Sequence, residues 1–251
     1  MKKIICLLLI LNLYGCSKTE DETSSVCTSD CTILQGNVIT ANNEPLSNVN
    51  ITFEFKQGGG YLPTYTRLIS DLISDENGGF YDEFYLKDRE IDQSSPGNLI
   101  LRVNENDLNL NENIITPDSV NIYLERWFDI ENRDTIIEQT YYFPKKAHVV
   151  VNLNNFVPIE ENDRFELQAI FPYGFENPEP DEINEILETI YVPTNGKLYK
   201  ATEINNPLNV IVAENENNII RVFKTKNGVF TTEDIVININ SNSPEEITLD
   251  Y

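Results

Sequence analysis

The sequence predicts an all-β protein made of two tandem antiparallel β-sandwich domains that follow a short leader and a polar tether. Three observations predict it. Val49, Ile51, Phe53 and Phe55 alternate with Asn50, Thr52, Glu54 and Lys56, a period of two that sends the apolar side chains to one face of a sheet. Turn-forming clusters such as Asp75-Glu76-Asn77-Gly78-Gly79, Asn195-Gly196 and Asn227-Gly228 punctuate short apolar runs along the chain. Only residues 181–187 carry a pattern suited to a helical turn or two.

Residues 1–15 begin with Lys2 and Lys3, continue through an apolar run broken by Asn12, and end at Gly15. Such a run falls short of the ~20 residues that span a bilayer and suits the ~7–15 of a secretory signal core. Leu13-Tyr14-Gly15-Cys16 resembles a bacterial lipobox, which implies cleavage before Cys16 and lipid attachment to its sulfur. The other readings are an uncleaved anchor and an ordinary secretory signal with a coincidental cysteine. Residues 16–30 read as a polar tether, because Ser17-Lys18-Thr19-Glu20-Asp21-Glu22 has no apolar periodicity from which to build a core. Ser17 stands where an inner-membrane retention signal has Asp. The lysine followed by acidic residues is similar to the export signal of Bacteroidota-type outer-membrane lipoproteins. That resemblance implies a lipid-anchored protein of the outer membrane, exposed at the cell surface.

The 251 residues include 18 basic and 41 acidic side chains, a formal charge of −23. Loss of the leader takes away Lys2 and Lys3 and no acid, leaving 16 basic residues against 41 acidic and a charge of −25. Nucleic acid is excluded as a partner, since phosphate contacts require clustered Lys and Arg. An anionic lipid surface would repel the body, so the membrane partner is reached through the N-terminal lipid alone. Of four cysteines, Cys6 departs with the leader and Cys16 takes the lipid. Cys27 and Cys31 are expected to form a small-loop disulfide in an oxidising compartment, two free thiols being the alternative. No metal and no cofactor is expected: no further cysteine is left, and His148 is the only histidine.

The first sandwich is expected over 31–144, with strands at 31–40, 49–56, 66–74, 80–86, 98–103, 119–128 and 134–142. Asp75 to Gly79 is expected as a hairpin bend. Gly58-Gly59-Gly60 is a loop without the Lys-Ser/Thr pair and helix of a phosphate cradle. Gly36-Asn37-Val38, Pro45-Leu46-Ser47-Asn48-Val49-Asn50-Ile51 and Ser74-Asp75-Glu76-Asn77-Gly78-Gly79-Phe80 resemble the carboxypeptidase regulatory-like, transthyretin-like domain. Ser74 departs from the usual Thr, Gly79 is an extra residue before Phe80, and the loop over 56–65 is long. The resemblance implies a sandwich held by structural motifs and carries no catalytic residue with it. Pro144-Lys145-Lys146 marks a boundary. A second, Ig-like or prealbumin-like sandwich is expected over 145–251, with strands at 147–153, 164–171, 189–192, 208–213, 218–225, 229–231, 234–240 and 246–251, and residues 181–187 as a helical crossover.

No His-Glu-x-x-His, Gly-x-Ser-x-Gly or phosphate-loop motif is present. His148, in Ala147-His148-Val149-Val150-Val151, reads as an edge or solvent-face strand residue. Carboxylates are so numerous that no pair stands out as a glycosidase acid and base. Asp75, Glu76 and Asn77 lack the spacing of a calcium loop and read as a turn. Trp127, Tyr141 and Tyr142 are candidate ligand-binding rings that could stack on sugar, the alternative being that they fill the core and cover a domain seam. Exposure of Trp127 with two tyrosines on one face decides between these. The expected function is a non-catalytic binding or scaffolding module at the outer membrane, its partner an envelope protein complex or a glycan. The alternatives are an accessory subunit of an uptake or secretion complex, and a surface hydrolase of glycan or peptide.

Overall fold

The computed structural model describes residues 18–20, 27–40, 43–58, 65–91, 97–104, 108–109, 112–113, 124–158, 162–179, 181–201, 207–240 and 245–251. The leader and Cys16 lie outside the described residues, as does the first part of the strand expected at 119–128.

The chain is all-β, and its described strands form three sheets. A five-stranded sheet has the order β1 (Lys18–Glu20), β4 (Tyr65–Ile73), β3 (Asn50–Gln57), β6 (Gly97–Val103), β7 (Glu125–Phe128). A seven-stranded sheet runs β14 (Val229–Asn238), β13 (Asn217–Lys226), β10 (Arg164–Glu176), β8 (Ile136–Tyr142), β2 (Thr32–Ile39), β5 (Gly79–Phe84), and β11 (Tyr191–Lys200) also pairs with β10. The third sheet is β12 (Leu208–Ala213), β9 (Lys146–Asn154), β15 (Glu245–Asp250). The one described α-helix is α1 (Glu182–Leu187), begun by Asp181, whose carboxylate accepts from the Ile183 and Asn184 amides at 3.0 and 3.1 Å.

The alternation read in β3 places Val49, Ile51, Phe53 and Phe55 in full burial. They face Leu34, Phe80, Phe84 and Tyr141 of the large sheet, with the Phe53 and Phe84 rings stacked 5.3 Å apart. Val149, Val151, Val210 and Val212 of the third sheet join Phe165, Leu167 and Val222 of the large sheet in the same continuous core. Each such side chain contributes roughly 1.5–3 kcal/mol by leaving water. The large sheet is thus one wall of both sandwiches. The boundary expected between 144 and 145 falls between β8 and β9, and strand pairing crosses it, Tyr141 lying opposite Phe175 and Tyr142 opposite Gly174. The other face of this sheet holds a small cluster in which Ile183, Ile186 and Leu187 of α1 cover Ile170 and Ile219.

Five features differ from expectation. β2 pairs with β8, β1 with β4 and β15 with β9 in parallel, so the sheets are mixed rather than purely antiparallel. The turn after β4 does not close a hairpin. Asp75 Oδ1 accepts from the Asn77 and Gly79 amides, Gly78 takes φ +74°, and the Val38 amide donates to the Gly78 carbonyl at 2.8 Å, which carries the chain onto the opposite sheet. Asn195-Gly196 is not a turn but lies within β11, where one extra residue opposite Gln168 to Ile170 makes a bulge. The two strands expected at 229–231 and 234–240 are one, β14, because every residue from Val229 to Asn238 pairs with β13. Within the expected tether, Lys18–Glu20 lies beside β4.

The resembling motifs have mechanical roles. A side chain at Gly36 would collide with the Gln139 carbonyl, so β2 and β8 meet only without one. Ser74 accepts from the Val49 amide at 3.0 Å and donates to the Leu46 carbonyl at 2.7 Å, pinning the Pro45-Leu46 corner. That role requires a hydroxyl, which Ser supplies as Thr would.

Candidate functional site

Where β8 ends, helix α1 and the start of β11 close over the outer face of the large sheet and leave a cleft of about 590 Å³. Its walls come from four separated stretches: Thr40 and Asn43 after β2, Tyr142 from β8, Asn184 through Tyr191 around the helix end, and Glu216 before β13. The Tyr142 and Tyr191 rings stack with centroids 4.4 Å apart and planes 27° from parallel.

Helix α1 stops at Glu188, which takes a left-handed conformation (φ 54°) while its amide donates back to the Asn184 and Glu185 carbonyls. This stop is usually glycine or asparagine. Glu188 lines the cleft, as Glu185 does. Asn184 is 1 % exposed. Its Nδ2 donates to Asp181 Oδ1 at 3.1 Å, and its Oδ1 has no hydrogen-bond partner.

Both phenols hold their protons strongly. Burial, aided by the nearby Glu176 and Glu216 carboxylates, pushes the Tyr191 hydroxyl up to about 12. Burial and then Glu216 raise Tyr142 further still. Among the described residues lining the cleft there is no His, Cys, Ser, Lys or Arg. What the walls offer is acceptors and ring surface.

The residues singled out in the sequence are not brought together. Cys27 and Cys31 are joined as a disulfide with Cα atoms 5.8 Å apart, at the entry to β2. Trp127 is 62 % exposed on β7, an outer strand of the five-stranded sheet. Tyr141 and Tyr142 are buried, which corrects their reading as exposed sugar-stacking partners of Trp127. Neighbouring residues on a strand point to opposite faces, so one tyrosine of the pair would ordinarily be free. Here both faces are covered, Tyr141 by the main core and Tyr142 by Tyr191. His148 projects from the exposed face of β9, the middle strand of its sheet. Asn184, Glu185, Glu188, Tyr191 and Glu216 were not anticipated. The one available signal was a glutamate where a helix stop favours glycine.

No protein-family model matches the chain, and no curated relative matches it. Among solved structures it is similar to the Bacillus anthracis TIE protein, at 12% identity over 88% of this chain and 33% of that one, with a TM-score of 0.31. A streptococcal ancillary pilin is 8% identical over 89% of this chain and 63% of its own, with a TM-score of 0.32. The shaft pilin spaA from Lactobacillus rhamnosus GG is 10% identical over 89% and 99%, with a TM-score of 0.28. The chain spans about a third of the first of these and less than two thirds of the second. No described helix is long and apolar enough to cross a membrane. The functional reading rests on this chain's own residues.

Proposed function

We propose that the chain is a lipid-anchored module of the outer membrane, carried on its outer face by an acylated Cys16, that binds a partner rather than transforming one. The observation that carries the binding half is the cleft beside Tyr142 and Tyr191: a rigid sheet fixes its floor, and its walls supply carboxylate and amide acceptors beside stacked rings. The anchoring half is supported by the order of Lys2, Lys3, the apolar run, Gly15 and Cys16.

The test is mass spectrometry of the N-terminal peptide of the native protein, together with protease shaving of intact cells and co-purification from detergent-solubilised outer membranes. The reading expects acyl mass on the Cys16 sulfur, loss of the body on shaving, and a partner retained through the wash. An unmodified Cys16, or a body protected in intact cells, would overturn it. Cys16→Ser is expected to release the body into the soluble fraction, because a charge of −25 offers nothing else to hold it at an anionic surface.

A further inference from the structure

Three glutamates, Glu185, Glu188 and Glu216, line the cleft, and none of its described lining residues is basic. Acidic residues alone could be no more than a solvated surface on a chain of charge −23. Asn184 is what sets this group apart. Its amide is oriented by the bond from Nδ2 to Asp181, so the orphaned atom is the oxygen, an acceptor buried in the cleft wall. A buried acceptor without a donor is costly, and a donor carried in by a ligand removes the cost.

The donor could be a metal ion or an organic cation. Calcium requires six to eight oxygens at roughly 2.3–2.6 Å. Among the described residues no three His, Cys, Asp or Glu side chains converge closely enough to hold a metal ion. An ammonium group makes fewer demands: it has three donors, accepts oxygens spread around it, and is attracted to aromatic rings. Beside the acceptors stand the Tyr191 ring and Ile190, which is 47 % exposed, an apolar surface suited to a methylene stem.

We propose that this cleft binds a lysine side chain of a protein partner, its ammonium held by Glu185, Glu188 and the Asn184 Oδ1 and its stem laid against Tyr191 and Ile190. The inference deepens the binding-module reading and rests on it. The Glu216 carboxylate, which adds to burial in raising both phenols, also favours an incoming cation. The chain's net charge draws cations toward it from a distance.

The test is calorimetric titration of the detergent-solubilised full chain with Nα-acetyl-lysine methylamide. Saturable binding is expected with Kd on the order of 1 mM. The norleucine analogue, which lacks the ammonium, is expected not to bind. Glu185→Gln combined with Glu188→Gln is expected to weaken binding about tenfold with an unchanged unfolding midpoint. Tyr191→Leu leaves every carboxylate in place and is expected to weaken it about threefold. No binding of the lysine probe, equal binding of the norleucine analogue, or unchanged affinity in both variants overturns the proposal. So does equal affinity for calcium chloride or for methyl glucosaminide, which would make the site one for metal or amino sugar. Failure here with acylated Cys16 and a retained partner leaves the envelope-module reading standing.

Discussion

Gly36 and Gly228 are glycines for different reasons, and their substitution separates the two. At Gly36 a Cβ would meet the Gln139 carbonyl and lie 2.6 Å from the Phe80 ring. Backbone of a paired strand cannot step aside, so Gly36→Ala is expected to destabilise the fold by about 3 kcal/mol or more. At Gly228 φ is +75° and nothing lies within 4 Å, so Gly228→Ala meets only the left-handed backbone and should cost about 1 kcal/mol. Urea unfolding of the two variants is the measurement, and equal losses would refute the packing argument. A second residue-scale feature is the ion pair of Arg67 and Glu90, 5 % and 2 % exposed, with Arg67 Nε donating to Glu90 Oε1 at 2.7 Å. Glu90 Oε2 also accepts from the Lys87 amide at 2.9 Å. Glu90→Ala strands a buried guanidinium and is expected to cost roughly 3–5 kcal/mol, whereas Arg67→Met with Glu90→Leu should restore most of it, since the paired charges were desolvated to begin with. If the double variant is no more stable than Glu90→Ala in urea, the loss lies in the bond to Lys87.

The turn between β13 and β14 was legible because its local signals agree, though the strand after it reads from sequence as two. Asn227 and Gly228 both take positive φ, at 50° and 75°, as a two-residue turn requires, and ten residue pairs follow in unbroken register. The same dipeptide at Asn195-Gly196 misled, because Asn-Gly permits a turn without compelling one. There β10 continues opposite, and the chain absorbs the extra residue as a bulge. The hairpin at Asp75 was misread for a related reason: its turn residues are correct, but which sheet receives the next strand depends on the Gly78 bond to Val38, a distant partner. β14 is an outer strand with Val229, Phe230 and Val236 exposed, and Glu233 and Asp234 at its middle discourage pairing with other chains. Replacing both with Val should raise aggregation measured by light scattering, and an unchanged signal would remove that role. Asp234 also accepts two bonds from Arg221, at 2.8 and 2.7 Å, and these hold its carboxyl below the ordinary range. A depressed folded-state pKa means the pair contributes in full above the ordinary carboxylate value and is lost as pH falls through the folded one. The pair is partly exposed, so solvent screening leaves a contribution of about 0.2–1 kcal/mol. The urea midpoint gap between the parent and Arg221→Gln should be constant from about pH 6 to 8 and close below about pH 4. A gap that persists in acid would assign it to packing of the arginine stem.

At the scale of the molecule, what sequence periodicity reveals is strands, and what it hides is their partners. The parallel pairing of β2 with β8 joins Ile33 to Ile136 and Ile39 to Tyr142 across about a hundred residues, and no local pattern encodes so distant a register. The cleft was invisible for the same cause, since Thr40, Tyr142, Asn184 and Glu216 become neighbours only once the large sheet is assembled. Sharing that sheet has a thermodynamic consequence. Phe143 packs edge-on against Tyr173 at 5.4 Å and Tyr142 stacks on Tyr191, so residues on either side of 144/145 complete one another's burial. A chain cut at 144 would expose Tyr142, Phe143 and the unpaired edge of β8, surface that costs roughly 25 cal/mol for each apolar Å² returned to water. The two sandwiches are therefore expected to unfold together. In urea, Trp127 fluorescence reports the first sandwich alone, because it is the only tryptophan, while far-ultraviolet circular dichroism reports all strands. Coincident midpoints are expected. If tryptophan fluorescence and circular dichroism separate, or if residues 1–144 alone give the parent's first transition, the sheet is an interface between two self-sufficient domains and the core is not one cooperative unit.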